Sequence, residues 1–306
     1  MNTIPHEVFP LIFIYVDVVS LINISEICHL FYNIIRSNCW DHTIKIPKRY
    51  RGDQIVKIID TYNSNFAGIE MDTPYLNGLF EHTTFKKFSK LRLIGSCYID
   101  VLDINKFKQL DTLELRRHPF AVGTCHLIFI ALCQNLTSLS LLNIVDVMEF
   151  HDTYDLGHDI SRCVNLRYLK YRDEGSSFFP SWTVFSTLTK LETLILDAPN
   201  AVNDNLLTIL TNLHTLKLLN KYCTISDQGL KYLTSLRTLS IGGTQMCPCN
   251  SITNKSISLL RNLEFLKIHV HWLLINLFNI YLCSRHLNRH IQKMQKLMKV
   301  FTNCLN

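Results

Sequence analysis

The stretch "ISDQGLKYLTSLRTLSI" (225–241) decides the reading. Leu239 and Ile241 alternate with polar neighbours, the two-residue period of a strand with one buried face. Just before them, Leu230 and Leu233 stand three apart, as on one face of a helix, and Asp227 is placed to cap the start of that helix. Leu236, Leu239 and Ile241 together form an L-x-x-L-x-L frame. A strand and a helical turn in so short a span bury too little alone. The unit has to recur.

It recurs along most of the chain. The frame is found at Leu110-x-x-Leu113-x-Leu115, Leu136-x-x-Leu139-x-Leu141, Leu166-x-x-Leu169-x-Tyr171 and Leu191-x-x-Leu194-x-Leu196. It continues at Leu213-x-x-Leu216-x-Leu218 and Leu263-x-x-Leu266-x-Ile268, and looser copies start at Phe66 and Phe88. The nine starts are 22 to 30 residues apart, around the ~20–29-residue period of leucine-rich repeats, each a strand plus a helix or 3₁₀ turn. The links recur too, as "VNDNLLTIL" (202–210), "ISDQGLKYL" (225–233) and "ITNKSISLL" (252–260). The frame with its link resembles the cysteine-containing leucine-rich repeats of F-box proteins. The Asn or Cys that such repeats carry after the strand is filled irregularly, for example by Asn143 and Asn220. The expected fold class is α/β, a leucine-rich-repeat solenoid over 48–271 with parallel strands on its concave face and helices outside.

The first 47 residues do not follow the repeat. Pro5 suits the first turn of a helix, with Glu7 near its positive end. A second helical stretch runs from Leu21 through Ile24, Ile27, Cys28 and Phe31. This segment resembles an F-box: Ile4-Pro5-His6-Glu7 stands for the opening Leu-Pro-x-Glu, and Ile12-Phe13 with Val16-Asp17 for the Ile-Phe pair and Leu-Asp corner. Leu21, Ile27-Cys28, Phe31 and, loosely, Trp40 follow in order. Pro10 departs from the pattern inside the first helix. The resemblance implies a small all-α module at 1–47 that docks a Skp1-like adaptor and cullin. The adaptor-binding residues it implies are Ile4, Pro5, Glu7, Val8, Ile12, Phe13, Leu21, Ile27, Cys28 and Phe31. The other reading of 1–47 is an N-terminal cap, which a solenoid needs in any case.

Charge and cysteine narrow the context. Of 31 Lys+Arg and 25 Asp+Glu, six basic and no acidic residues follow Glu264, so residues 1–264 are formally neutral and the tail carries the +6. Eleven cysteines in no paired framework argue against a secreted disulfide scaffold. The apolar run at Val8–Val16 is flanked by Glu7 and Asp17 and lacks a basic n-region, so it is not expected to be a signal peptide. The expectation is a cytoplasmic or nuclear protein without a transmembrane segment. Residues 272–306 combine an apolar run of about a dozen residues, short of the ~20 that span a bilayer, with a basic stretch at helical spacing. They read as a helical C-terminal cap or basic tail, the rival being a contact with membrane or nucleic acid; neither is expected as a partner.

No catalytic residues, cofactor or metal are expected, and the chain is read as a non-enzyme. No glycine-rich nucleotide loop is present, and His6-Glu7 lacks the second histidine of a zinc-protease helix. Cys247 and Cys249 with His269 and His271 are ligands of the right type for zinc, but they read as a loop turned by Pro248 beside surface histidines. His151, Asp155 and His158 would share a helix face, and read as a polar insertion. The concave face offers Arg92, Arg116, Tyr168, Lys170, Arg172, Lys217, Lys267 and His269. That basic balance suits an acidic or phosphorylated protein substrate, against the plainer reading of a solvated sheet.

Overall fold

The computed structural model describes residues 5, 8–13, 16, 18–37, 40–46, 66–71, 88–95, 109–116, 119–120, 132–143, 145–146, 156–172, 182–197, 202–219, 225–242, 252–268 and 282–283. They belong to two compact units, residues 1–166 and 167–306.

The first unit opens with three helices, α1 Val8–Phe13, α2 Val18–Ile27 and α3 His29–Ser37. The Val8 amide donates to the Pro5 carbonyl at 3.0 Å, closing the turn that leads into α1. Pro10 is the third helical residue, where an N–H would have no intrahelical acceptor, so the proline is accommodated without loss. Phe9 and Phe13, four apart on α1 with ring centroids 5.9 Å apart, meet Phe31 of α3 at 5.0 and 5.7 Å. Leu21, Ile34 and Ile35 are buried in the same module.

Parallel strands follow: β1 Trp40–Ile46, β2 Phe66–Met71, β3 Lys90–Ile94, β4 Thr112–Arg116 and, after the short β5 Pro119–Phe120, β6 Ser138–Leu142. They pair in that order, and β5 makes a separate two-stranded ladder with β7 Val145–Asp146. The register joins Ile69 to Leu91, Leu113 and Leu139, and Met71 to Leu93, Leu115 and Leu141. A helix, α4 Leu156–Ser161, ends the unit. The sheet thus begins inside the stretch assigned to the helical module: Ile44 and Ile46 of β1 face Ile69 and Met71.

The second unit repeats the plan. Its strands are β8 Tyr168–Arg172, β9 Thr193–Asp197, β10 Thr215–Leu218, β11 Thr238–Ile241 and β12 Phe265–Ile268. Leu169, Leu194, Leu216, Leu239 and Leu266 lie in one register row. Between the strands stand a 3₁₀ turn Trp182–Thr187 and the helices α5 Asp204–Ile209, α6 Asp227–Leu230 and α7 Asn254–Leu259. Beyond β12, the two-residue β13 Leu282–Cys283 pairs antiparallel with it. Those two residues are extended where the sequence predicts a helix; the rest of 272–306 lies outside the described residues.

The frame's apolar positions from Phe88 onward are buried, including the leading residues Phe88, Leu110, Leu136, Leu166, Leu191, Leu213, Leu236 and Leu263, except that Ile268 in the last frame is half-buried. Parallel strands backed by short helices and 3₁₀ turns every 22 to 30 residues are the α/β leucine-rich-repeat solenoid that the spacing predicts. At β4, β6, β9, β10, β11 and β12 the amide of the residue before the strand and that of its first residue share one carbonyl of the preceding repeat, as Glu192 and Thr193 share Arg167 at 2.8 and 2.9 Å.

Close approach of adjacent repeats is enforced at two glycines. A Cβ on Gly68 would lie 2.5 Å from Lys90 Cβ and 2.6 Å from the Lys90 carbonyl oxygen. A Cβ on Gly229, the glycine of the "ISDQGL" link, would lie 2.9 Å from Asp204 Cα. At Gly68 the obstruction includes backbone, so relief requires β2 and β3 to separate. Gly68→Ala is expected to lower unfolding stability by about 1–3 kcal/mol, read as a shift in denaturant midpoint. An unchanged midpoint would show that the strands separate freely.

Candidate interaction surfaces

The helical module divides the residues that the F-box resemblance singles out. Phe13 (4% exposed) and Leu21 turn inward, and Val8 and Phe31 are half-buried. Ile12 (45% exposed) and Ile27 (70%) turn outward, with Leu11 (64%) and Leu30 (50%) beside them in the sequence. Pro5 and Cys28 are also exposed. Ile4 and Glu7 lie outside the described residues. Four large aliphatic side chains are thus exposed on α1 to α3, and exposed apolar surface of this kind marks a contact face where it is contiguous.

The open face of the first unit's sheet carries a charge ladder. Register aligns Lys45, Glu70, Arg92, Glu114 and Ser140 on successive strands. Lys45 Nζ lies 3.3 Å from Glu70 Oε1, Arg92 Nη1 donates to Glu70 Oε2 at 2.7 Å, and Arg92 Nε reaches Glu114 Oε2 at 2.9 Å. Burial works against the Arg92 charge, but hydrogen bonding to Glu70 and the two carboxylate charges outweigh it and hold the guanidinium above its usual range. Arg92, predicted as a ligand contact, is therefore shared between two carboxylates. Arg116 at the end of β4 is exposed.

The equivalent column of the second unit reads Lys170, Ile195, Lys217, Ser240 and Lys267. Tyr168, Thr193, Thr215, Thr238 and Phe265 form a parallel column on the same face, since residues two apart in a strand point the same way. Arg172 Nε pairs with Asp197 Oδ2 at 3.3 Å. His269 lies outside the described residues.

Two further ladders escaped the sequence reading. Asn165, Asn212 and Asn262, each directly before the frame's first leucine, donate Nδ2 hydrogens to the carbonyls of Gln134, Thr189 and Thr234 at 2.7 to 3.0 Å. The signal was present, because Asn-Leu opens four of the nine frames. The second ladder corrects the assignment of Asp227. The cap of α6 is Ser226, whose hydroxyl accepts from the Gln228 amide at 3.1 Å. Asp227 is the first helical residue and reaches forward one repeat, accepting from the Thr253 amide at 2.7 Å and from the Thr253 and Ser256 hydroxyls. Asp204 does the same for the Ser226 amide at 2.7 Å.

Burial raises the Asp227 carboxyl pKa, but the bonds from Ser256 and Thr253 and the Lys255 charge outweigh it, leaving the group below the ordinary aspartate range. A depressed carboxyl contributes stability that is present above the unfolded value near 4 and is lost as pH falls through the folded one. Asp227→Asn is expected to lower stability at pH 7 by no more than about 1 kcal/mol, because water screens the largely exposed carboxylate, and by less near pH 3, measured as paired urea curves. Equal losses at both pH values would show that the charge is immaterial.

Most of the candidate metal ligands lie outside the described residues. His158 is exposed with Nε2 3.4 Å from Arg162 Nη2, while His151 and Asp155 lie outside the described residues. Cys247, Cys249 and His271 also lie outside them. No group of three metal-ligating side chains is found among the described residues. Cys133 and Cys163 are buried, and burial, then the neighbouring Cys133 and Asp159, pushes the Cys163 thiol up to about 12, that of an inert core thiol. Among the described residues no helix is long and apolar enough to cross a membrane.

Strands in frame, caps that bridge repeats and open polar sheet faces define a leucine-rich-repeat interaction fold. By sequence, the chain matches no protein-family profile and no curated protein. By structure, it is similar to a leucine-rich-repeat protein of Leptospira interrogans at 17% identity and TM-score 0.46, over 80% of this chain and 57% of that one. It is also similar to an internalin of Listeria monocytogenes at 15% identity and TM-score 0.46, over 83% of this chain and 75% of that one. A third similarity is to the yeast Rad7–Elc1 complex, at 14% identity and TM-score 0.44, over 74% of this chain and 69% of that one.

Proposed function

We propose that this chain is the substrate-recognition subunit of a cullin-RING, SCF-type ubiquitin ligase. Its N-terminal helices dock a Skp1-like adaptor and cullin, and its repeats hold the target protein. The chain is not itself an enzyme. Its contribution is proximity, since a target held beside a charged conjugating enzyme is presented at high effective concentration and the transfer becomes nearly unimolecular. The observation that carries the reading is the exposed apolar set Leu11, Ile12, Ile27 and Leu30 on three helices whose sequence follows the F-box order.

One observation favours a second reading, a repeat scaffold with no ubiquitin role: α2 packs against β1, as an N-terminal cap would. Purified full-length chain mixed with a purified Skp1-type adaptor separates the two. A stable complex on size exclusion supports the ligase subunit, and its absence at micromolar concentrations leaves the helices as a cap.

A further inference from the structure

The second unit presents three cations in a regular row with no anion among them. Lys170, Lys217 and Lys267 occupy the same repeat position on β8, β10 and β12, and the strands between contribute Ile195 and Ser240. The corresponding column in the first unit alternates cation and carboxylate and neutralises itself. Among the described residues no carboxylate pairs with Lys170, Lys217 or Lys267, and Asp197 on the same face is engaged by Arg172. Three unmatched ammonium groups on an otherwise neutral face are complementary to a partner that brings its own anions.

Their spacing restricts that partner. Adjacent strands lie about 4.8 Å apart, so lysines on every second strand recur at about 9.6 Å. A polyproline II peptide rises about 3.1 Å per residue with three residues per turn, so side chains at every third position share a face about 9.3 Å apart. A β-extended peptide brings same-face side chains at about 6.7 Å and misses this row. A nucleic-acid strand carries a phosphate about every 3.4 Å, for which three separated cations are sparse. A polyproline II backbone makes no internal hydrogen bonds, and the hydroxyls of Thr193, Thr215 and Thr238 flank the row as donors to its carbonyls.

We propose that this face binds an acidic polyproline II segment of a protein partner, running across the strands with a carboxylate at every third residue against Lys170, Lys217 and Lys267. The proposal deepens the target-holding role given above and shares none of its adaptor-docking surface. The test uses the full-length chain without adaptor and a fluorescent (Glu-Pro-Pro)3 peptide, followed by anisotropy at low and high salt. The comparison peptide has the same composition with its three glutamates adjacent.

The expected result is at least about tenfold tighter binding of the spaced peptide, two further exposed charge pairs at about threefold each together being worth about that factor. The binding should weaken with salt and fall about tenfold or more in Lys217→Glu, with circular dichroism unchanged. Lys255→Glu, on α7, should bind as the unaltered chain does. Equal affinity for both peptides, or full affinity in Lys217→Glu, overturns the proposal. Tighter binding of a short oligouridylate, lost in Lys217→Glu, also overturns it and makes the face a nucleic-acid site. Adaptor binding is read in a separate experiment, so failure here leaves the ligase reading standing, and the reverse holds.

Discussion

Leu216→Ala is expected to lower the unfolding free energy by about 3–4 kcal/mol, within the range found for buried leucines. Leu216 is fully buried in β10, between Leu194 of β9 and Leu239 of β11. Repeat proteins are stabilised mainly by nearest-neighbour interfaces, so a cavity at a central strand weakens two interfaces at once. Leu219→Ala, one residue past the strand and exposed, should change stability by less than about 0.5 kcal/mol. Guanidinium unfolding followed by circular dichroism distinguishes two forms of the loss. A lower midpoint with an unchanged slope means that the repeats still unfold together, whereas a shallower slope means that cooperativity has broken at β10. A Leu216→Ala protein within about 0.5 kcal/mol of the unaltered chain would show that the leucine row is not the core.

The leucine frame was legible because burial imposes it, residue by residue. Leu169, Leu194, Leu216, Leu239 and Leu266 fall in one register row as their spacing required. The first strand was missed for an equally physical reason. In "DHTIKI" (41–46) the frame's leading position holds Asp41, so only Ile44 and Ile46 remain to signal a strand. Two alternating residues are too few to tell a strand from the end of a helical module.

Polar geometry was harder to read. Ser226 and Asp227 are both good capping residues, and the sequence does not say which one stands outside the helix and which reaches to Thr253. Arg92 reads as a cation open to a ligand when taken residue by residue, although the frames starting at Phe66 and Leu110 put Glu70 and Glu114 in the same slot on either side; only Lys45 stands in a strand that the frame does not reveal. The Lys170, Lys217 and Lys267 row was visible as separate residues. Its two-strand period follows only from the pairing order.

Ile12→Asp is expected to reduce binding of a Skp1-type adaptor by about a hundredfold or more while leaving the fold intact. The side chain is nearly half exposed in the free chain, so an aspartate there is solvated and costs little stability. In an apolar interface the same carboxylate would be desolvated without a partner, a loss of about 3–5 kcal/mol. Phe13 supplies the contrast: it is buried against Phe9 and Phe31, so Phe13→Ala should cost about 3–5 kcal/mol of stability and lose adaptor binding only through unfolding of the helices. Binding lost in Ile12→Asp with an unchanged helical signal assigns the outward face of α1 to the contact. Normal binding in that variant would remove the face from the interface, and with it the observation on which the ligase reading stands.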